Sequence, residues 1–217
     1  MIPRFRLLAR FLAAWVLLAA AAVPAAAVDS TPAETAEPSA AAPIEALDQG
    51  ILAVMHVART TSFGQRMQML APAVLAAYDL PHILRNTVGL RFAGFSPQIQ
   101  AELLDVFTQF TVASYVANFD DENGLRFEIL PETRQVGGDE VVQTRLVQGA
   151  GETVKLDYVM HRANGGWKII DVLLNGSISR VAVQRSDFRA LLGGGDAGPL
   201  IASLRSKVAR LAAGQKD

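Results

Sequence analysis

The sequence predicts an α+β domain in which helices come first, an antiparallel sheet follows and helices close the chain. Three observations carry that prediction. Apolar residues recur at helical spacing between Ile44 and Asn118, the apolar period falls to two from Leu125 onward, and helical spacing returns after Arg180. Helices segregated from a run of strands make an α+β order, and no internal repeat or second apolar core breaks it.

Residues 1–27 read as a secretory signal peptide. Arg4, Arg6 and Arg10 form a positive start, Phe11 to Val23 a short apolar run, and Ala25-Ala26-Ala27 a small-residue cleavage site. The apolar run falls short of the roughly 20 residues that span a bilayer. Residues 28–43, with Pro32, Pro38 and Pro43 among Ala, Thr, Glu and Ser, have too little large apolar content to fold and read as a flexible leader. A single domain is expected over residues 44–214.

Helices are predicted over Ile44–Val57 and Phe63–Ala77, the second capped by Ser62 and kinked or interrupted at Pro72. Asp79 is placed to cap a short helix through Ile83-Leu84, with Pro81 near its start. Ser96-Pro97, a cap followed by proline, opens a helix to about Asn118. Its stripe of Ile99, Leu103, Val106, Phe110, Ala113 and Ala117 is widened by Leu104, Phe107 and Thr111, which predicts burial on more than one side.

Strand alternation follows in Leu125-Phe127-Ile129, Val142-Thr144-Leu146 and Val154-Leu156-Tyr158-Met160, and a fourth strand runs through Trp167 to Leu174. Gly137-Gly138-Asp139, Gly149-Ala150-Gly151 and Asn164-Gly165 punctuate them. The simplest topology is a four-stranded antiparallel meander. Arg180–Leu192 is then a helix, Gly193-Gly194-Gly195 a break, and Pro199–Leu211 a last helix ending near Gly214.

Composition excludes several functions. The formal net charge of −1 falls further once the signal peptide's three arginines are removed, which is no nucleic-acid-binding balance. With no cysteine, stability rests on packing. No phosphate-binding glycine loop, dinucleotide fingerprint or serine-hydrolase elbow is present. His56, His82 and His161 are far apart and lack a second ligand at metal spacing, so no metal or cofactor is expected.

An enzyme of the ketosteroid-isomerase type would need a carboxylate and a tyrosine facing one apolar cavity. Asp157 is out of phase with Tyr158. Asp171 shares a phase with Trp167, Ile169 and Leu173, and is read either as a buried structural carboxylate bonded to backbone or arginine, or as a base. Tyr78, Phe107, Phe110, Tyr115, Phe127 and Tyr158 either line a cavity or fill a core; periodicity does not separate the two.

Several ordered motifs carry a family resemblance. The run from Trp167 to Phe188, Trp-Lys-Ile-Ile-Asp-Val-Leu-Leu-Asn-Gly-Ser-Ile-Ser-Arg-Val-Ala-Val-Gln-Arg-Ser-Asp-Phe, resembles the sheet-to-helix passage of the MlaC family of periplasmic lipid carriers. Tyr78-Asp79-Leu80-Pro81-His82-Ile83-Leu84 with Gly89, Ser114-Tyr115-Val116-Ala117-Asn118-Phe119 and Leu156-Asp157-Tyr158-Val159-Met160 extend the likeness over about residues 44–211. Ser114–Phe119 and Ser177–Phe188 look most like the hopanoid-associated branch, HpnM.

The resemblance implies a twisted sheet wrapped by helices, similar to the nuclear-transport-factor-2 shape, around an apolar cavity. It implies a non-catalytic periplasmic carrier that passes phospholipid or hopanoid between membrane-bound partners. These would be an inner-membrane ABC transporter with an MCE-type subunit and an outer-membrane lipoprotein complex. Exposing a sixteen-carbon tail to water costs roughly 12 kcal/mol, at about 0.8 per methylene, so a carrier must enclose it. A cavity within or above the usual range of about 300 to 1,000 Å³ is expected.

The wall residues expected from phase and motif are Tyr78, Leu80, Leu84, Phe107, Phe110, Tyr115, Phe127, Leu156, Tyr158 and Val172. Arg85, Arg91, Arg180, Arg185 and Arg189 are candidate phosphate contacts, and Gly193–Gly195 and the Pro72 region candidate hinges. An isomerase-type enzyme and a non-lipid envelope adaptor with a solid core are the alternative readings.

Overall fold

A computed structural model describes residues 39–121, 124–149, 151–163 and 165–215; the expected signal peptide and most of the leader lie outside them. Helix α1 (Ala42–His56) starts ahead of the expected Ile44, with Pro43 in its first turn and Ala40 buried before it. A proline there forfeits no helical hydrogen bond, because the first N–H groups of a helix have no partner within it. Ile44, Leu47, Ile51, Val54 and Met55 are its buried face.

Helix α2 (Phe63–Ala77) begins in a reciprocal capping box. The Ser62 hydroxyl accepts from the Gln65 N–H at 3.3 Å, and the Gln65 side chain accepts from the Ser62 N–H at 3.1 Å. Of the kink or interruption expected at Pro72, the interruption does not occur, and the helix runs through it to Ala77. Helix α3 (Leu80–Val88) is capped by Asp79, whose carboxylate accepts from the His82 N–H at 2.9 Å. A 3₁₀ turn, Gly89–Gly94, leads to Ser96, which caps α4 (Pro97–Asn118) by accepting from Ile99 N–H at 3.3 Å.

The sheet has five strands and not four, in the order β1 (Arg126–Val136), β2 (Asp139–Val147), β3 (Thr153–Ala163), β4 (Gly166–Leu174) and β5 (Ile178–Ser179), all antiparallel neighbours. A two-residue strand shows no periodicity, which is why β5 escapes the sequence pattern. Strand β1 extends past the expected Ile129 through Pro131. The register shifts between Ile129 and Thr133, as suits a proline on an edge strand. Asn175 and Gly176 both take positive φ (52° and 73°) in the β4–β5 turn.

Phe127, Thr144, Leu156, Tyr158, Val172 and Leu174 share the helix-facing side of the sheet by register. A bulge between Val159 and Met160 on β3 and their partners Asp171 and Ile169 breaks the β4 phase. Ile169 therefore packs in the core with Met160. The α2–α3 link is tied to β4 by Asp79 N–H donating to the Ile169 carbonyl at 3.0 Å and by the Lys168 ammonium donating to the Ala76 carbonyl.

Helix α5 (Arg180–Leu191) is capped by Ser179, and α6 (Gly198–Ala212) packs along α4 through Leu200, Ile201 and Leu204, with an Arg205–Glu102 ion pair at 2.7 Å. No described helix is long and apolar enough to cross a membrane.

Candidate functional site

A predominantly apolar cavity lies between the sheet and helices α3, α4 and α5. Helix α4 supplies its longest wall. Phe107, Phe110, Thr111, Ser114, Tyr115, Asn118 and Phe119 recur at alternating spacings of three and one, a single stripe down the helix. The sheet contributes Leu156, Tyr158, Val172 and Leu174, α3 contributes Leu80 and Ile83, and α5 closes the side with Arg180, Val181 and Gln184.

Leu80, Ile83, Phe107 and Tyr158 are buried and form the floor, whereas Asn118 and Arg180 are exposed and mark the mouth. The cavity volume is about 190 Å³ in this conformation, below the size expected for a lipid tail. Aromatic rings from α4 crowd its wall. Phe107 meets Phe188 of α5 edge-on at 6.2 Å, and Tyr115 stacks on Phe119 at 6.0 Å.

The cavity holds a polar cluster drawn from separate elements. The hydroxyls of Tyr78, before α3, and Tyr115, on α4, share a hydrogen bond, and Tyr158 on β3 interacts with the Tyr115 hydroxyl. Burial pushes Tyr115 up to about 12 and Tyr78 and Tyr158 well above the ordinary tyrosine value, while Arg180 opposes the rise at Tyr78 and Tyr115. All three are therefore neutral at physiological pH. Behind them on α1, burial and then the charge of Glu45 raise Asp48 to about 7. Its Oδ1 is buried without a hydrogen-bond partner.

Asp171 borders the cavity as a clamp. Its Oδ1 accepts from Val172 N–H at 2.7 Å and Val181 N–H at 3.1 Å, and its Oδ2 accepts from the Ser179 hydroxyl. The Ser179 oxygen in turn accepts from Ala182 N–H at 2.9 Å. The carboxylate thus holds the first turn of α5, where the unpaired N–H groups favour an anion. Asp157 points to the other face, 3.5 Å from Lys155 Nζ and 3.8 Å from Arg134.

Of the ten expected wall residues, Tyr78, Leu80, Phe107, Phe110, Tyr115, Leu156, Tyr158 and Val172 line the cavity. Leu84 does not; it is wholly buried in the core one turn further along α3. Phe127 stands one layer out, packed on the cavity residue Phe119 at 5.7 Å. Among the five arginines only Arg180 lines this cavity. Ser114, Asn118 and Gln184 are polar and carry no apolar signal, although Ser114 lies four residues after Phe110, Asn118 four after Ser114 and Gln184 four after Arg180.

His82 and His161, far apart in sequence, stack at 5.9 Å, and His161 Nδ1 bonds Asp139 at 2.8 Å. No group of three or more metal-ligating side chains occurs among the described residues.

Residues 45–206 match the family described as MlaC protein. The chain belongs to the MlaC family. Among solved structures, the fold is similar to that of a phospholipid-binding protein from Ralstonia solanacearum in complex with a phospholipid. The TM-score is 0.70 at 20% identity, over 81% of this chain and 99% of that one. Comparison with curated proteins gives no match. The MlaC match spans α1 to the middle of α6, and so includes every element that walls the cavity.

Proposed function

We propose that this MlaC-family protein is a periplasmic carrier that encloses the tails of a phospholipid in the cavity under α4 and α5 and leaves the head group at the mouth. The observation that carries this reading is the cavity itself, with apolar walls, a buried floor and an arginine at the rim. Arg180 is placed to meet a phosphate while Leu80, Ile83 and Phe107 face hydrocarbon. The phospholipid complex of the Ralstonia protein supports the same ligand class.

On this reading residues 1–27 are the export signal, the leader ahead of Ala40 a tether, and the carrier domain runs from the buried Ala40 to residue 214. Its sheet and helices would form a shape of the nuclear-transport-factor-2 kind. Cargo would pass between an ABC transporter with an MCE-type subunit and an outer-membrane lipoprotein complex. Asp171 supports the carrier over an isomerase, because its carboxylate is committed to the start of α5.

A cavity of about 190 Å³ has to widen to take an acyl chain. Helix α5 is the wall suited to move, since Phe188 is its one buried residue while α4 buries seven, and Gly193–Gly195 follows it as a hinge.

Native mass spectrometry of the gently purified mature protein, followed by lipid extraction, tests the reading. A stoichiometric phospholipid is expected, and a hopanoid would assign the protein to the HpnM branch. Ser114→Trp, which fills the cavity from α4, is expected to abolish the bound mass without unfolding the domain. Folded, delipidated protein that takes up neither lipid from vesicles removes the carrier reading and leaves the adaptor.

A further inference from the structure

Beyond the cavity, α5 carries a second feature on its opposite side. A cleft of about 410 Å³ between α3 and α5 is lined by Asn86, Ser179, Arg185, Ser186 and Arg189, together with Val181, which also lines the cavity. Helix α3, the 3₁₀ turn after it and α5 together hold Arg85, Arg91, Arg180, Arg185 and Arg189, all exposed, against one acidic residue, Asp187. The whole chain has a formal net charge of −1, so this positive charge is local to one face.

Arg91 and Arg185 meet at the 3₁₀ turn, and Arg189 lines the same cleft as Arg185. A Cβ on Gly89 would sit 3.5 Å from Arg185 Nη2, and Arg91 donates to the Leu192 carbonyl at the end of α5. From the start of that turn Leu90 projects with 99% of its surface exposed, the most exposed large apolar side chain among the described residues.

We propose that Leu90 with Arg91, Arg185 and Arg189 docks the protein on a bilayer surface carrying anionic phospholipid. Arginine pairs with phosphate through its planar fork, and a lone projecting leucine among arginines can enter the boundary between head groups and acyl chains. The charge is complementary to an anionic leaflet. A protein partner is less well matched, because a specific interface needs a contiguous apolar core and roughly 800 Å² on each side, and this tip offers one apolar side chain. Docking here would press the bilayer against α5, the wall that the carrier reading requires to move. The inference rests on that reading only for its purpose, since surface binding is measured apart from cargo.

Co-sedimentation of the mature protein with vesicles tests it. Binding is expected to vesicles of phosphatidylcholine with one-third phosphatidylglycerol, to fall as salt rises, and to be absent with phosphatidylcholine alone. Each arginine removed is expected to weaken binding about fivefold, so Arg185→Glu with Arg189→Glu should abolish it. Leu90→Asp is expected to weaken it at least fivefold, with thermal unfolding and bound-lipid mass unchanged. Absence of binding to the anionic vesicles, or binding that survives both sets of changes, overturns the proposal and leaves the basic face to an acidic protein. Bound-lipid mass on the same preparation reports failure of the carrier reading separately.

Discussion

Tyr78 and Tyr115 join hydroxyl to hydroxyl across 37 positions of sequence, their rings 6.1 Å apart and tilted by 55°. The pair ties the link before α3 to α4 inside the cavity wall. Removing the Tyr115 hydroxyl strands that of Tyr78 in an apolar site, whereas removing both hydroxyls leaves no such orphan at position 78. Tyr115→Phe is therefore expected to cost about 1 to 3 kcal/mol, and Tyr78→Phe/Tyr115→Phe less than the sum of the single changes. Urea unfolding of the four proteins in the cycle measures it; additive costs would mean the hydroxyls act independently.

Asp48 predicts the pH dependence of stability. Its value is raised from 3.8 to about 7, so the folded state holds a proton that the unfolded chain releases between those limits. The contribution of this site is most favourable below about pH 4 and is lost as pH rises toward 7, by roughly 4 kcal/mol. Asp48→Asn is expected to raise the melting temperature at pH 8 and flatten its fall between pH 5 and 8. Thermal unfolding across that range checks the sign, and a melting temperature that falls at pH 8 would reverse it.

Asp171 and Ser179 should fail as a unit. Asp171→Ala deprives Val181 N–H and the Ser179 hydroxyl of their acceptor and is expected to cost about 1 to 3 kcal/mol. Ser179→Ala is expected to cost about 1 kcal/mol through loss of the cap. Hydrogen exchange should show faster opening in the first turn of α5, with β2 and β3 unaffected. Uniform acceleration over the sheet would place the damage elsewhere.

Gly176 holds the turn from which β5 and α5 emerge. At φ 73° a side chain is strained, and a Cβ there would lie 3.3 Å from both Asp157 Oδ2 and Lys155 Nζ. Gly176→Ala is expected to cost about 1 to 2 kcal/mol, read from chemical denaturation. A neutral or stabilising result would show that the turn relaxes to negative φ.

Much of the local structure was legible because its chemistry acts over a few residues. Ser62 with Gln65, Ser96 with Pro97, and Asp79 announce helix starts three residues or fewer from the groups they satisfy. Alternation located three of the longer strands and an apolar run ending at Asn175-Gly176 the fourth, and the α4 stripe marked an element that walls the cavity. The limits of the pattern are as specific. The bulge opposite Asp171 breaks the period that placed Asp171 with Ile169, and two residues of β5 offer no period at all.

Apolar periodicity determined which faces turn inward, because burying them is favourable wherever they meet a partner. It did not determine what those faces meet. That Leu84 enters a solid core while Leu80, on the same helix, borders a cavity depends on how α3 sits against α4 and β4. The tyrosine cluster, the His82–His161 stack and the cavity volume likewise arise from residues brought together across the chain. Tertiary packing alone decides such distances, since a helix or strand constrains its own neighbours and leaves the gap between elements to the side chains that fill it.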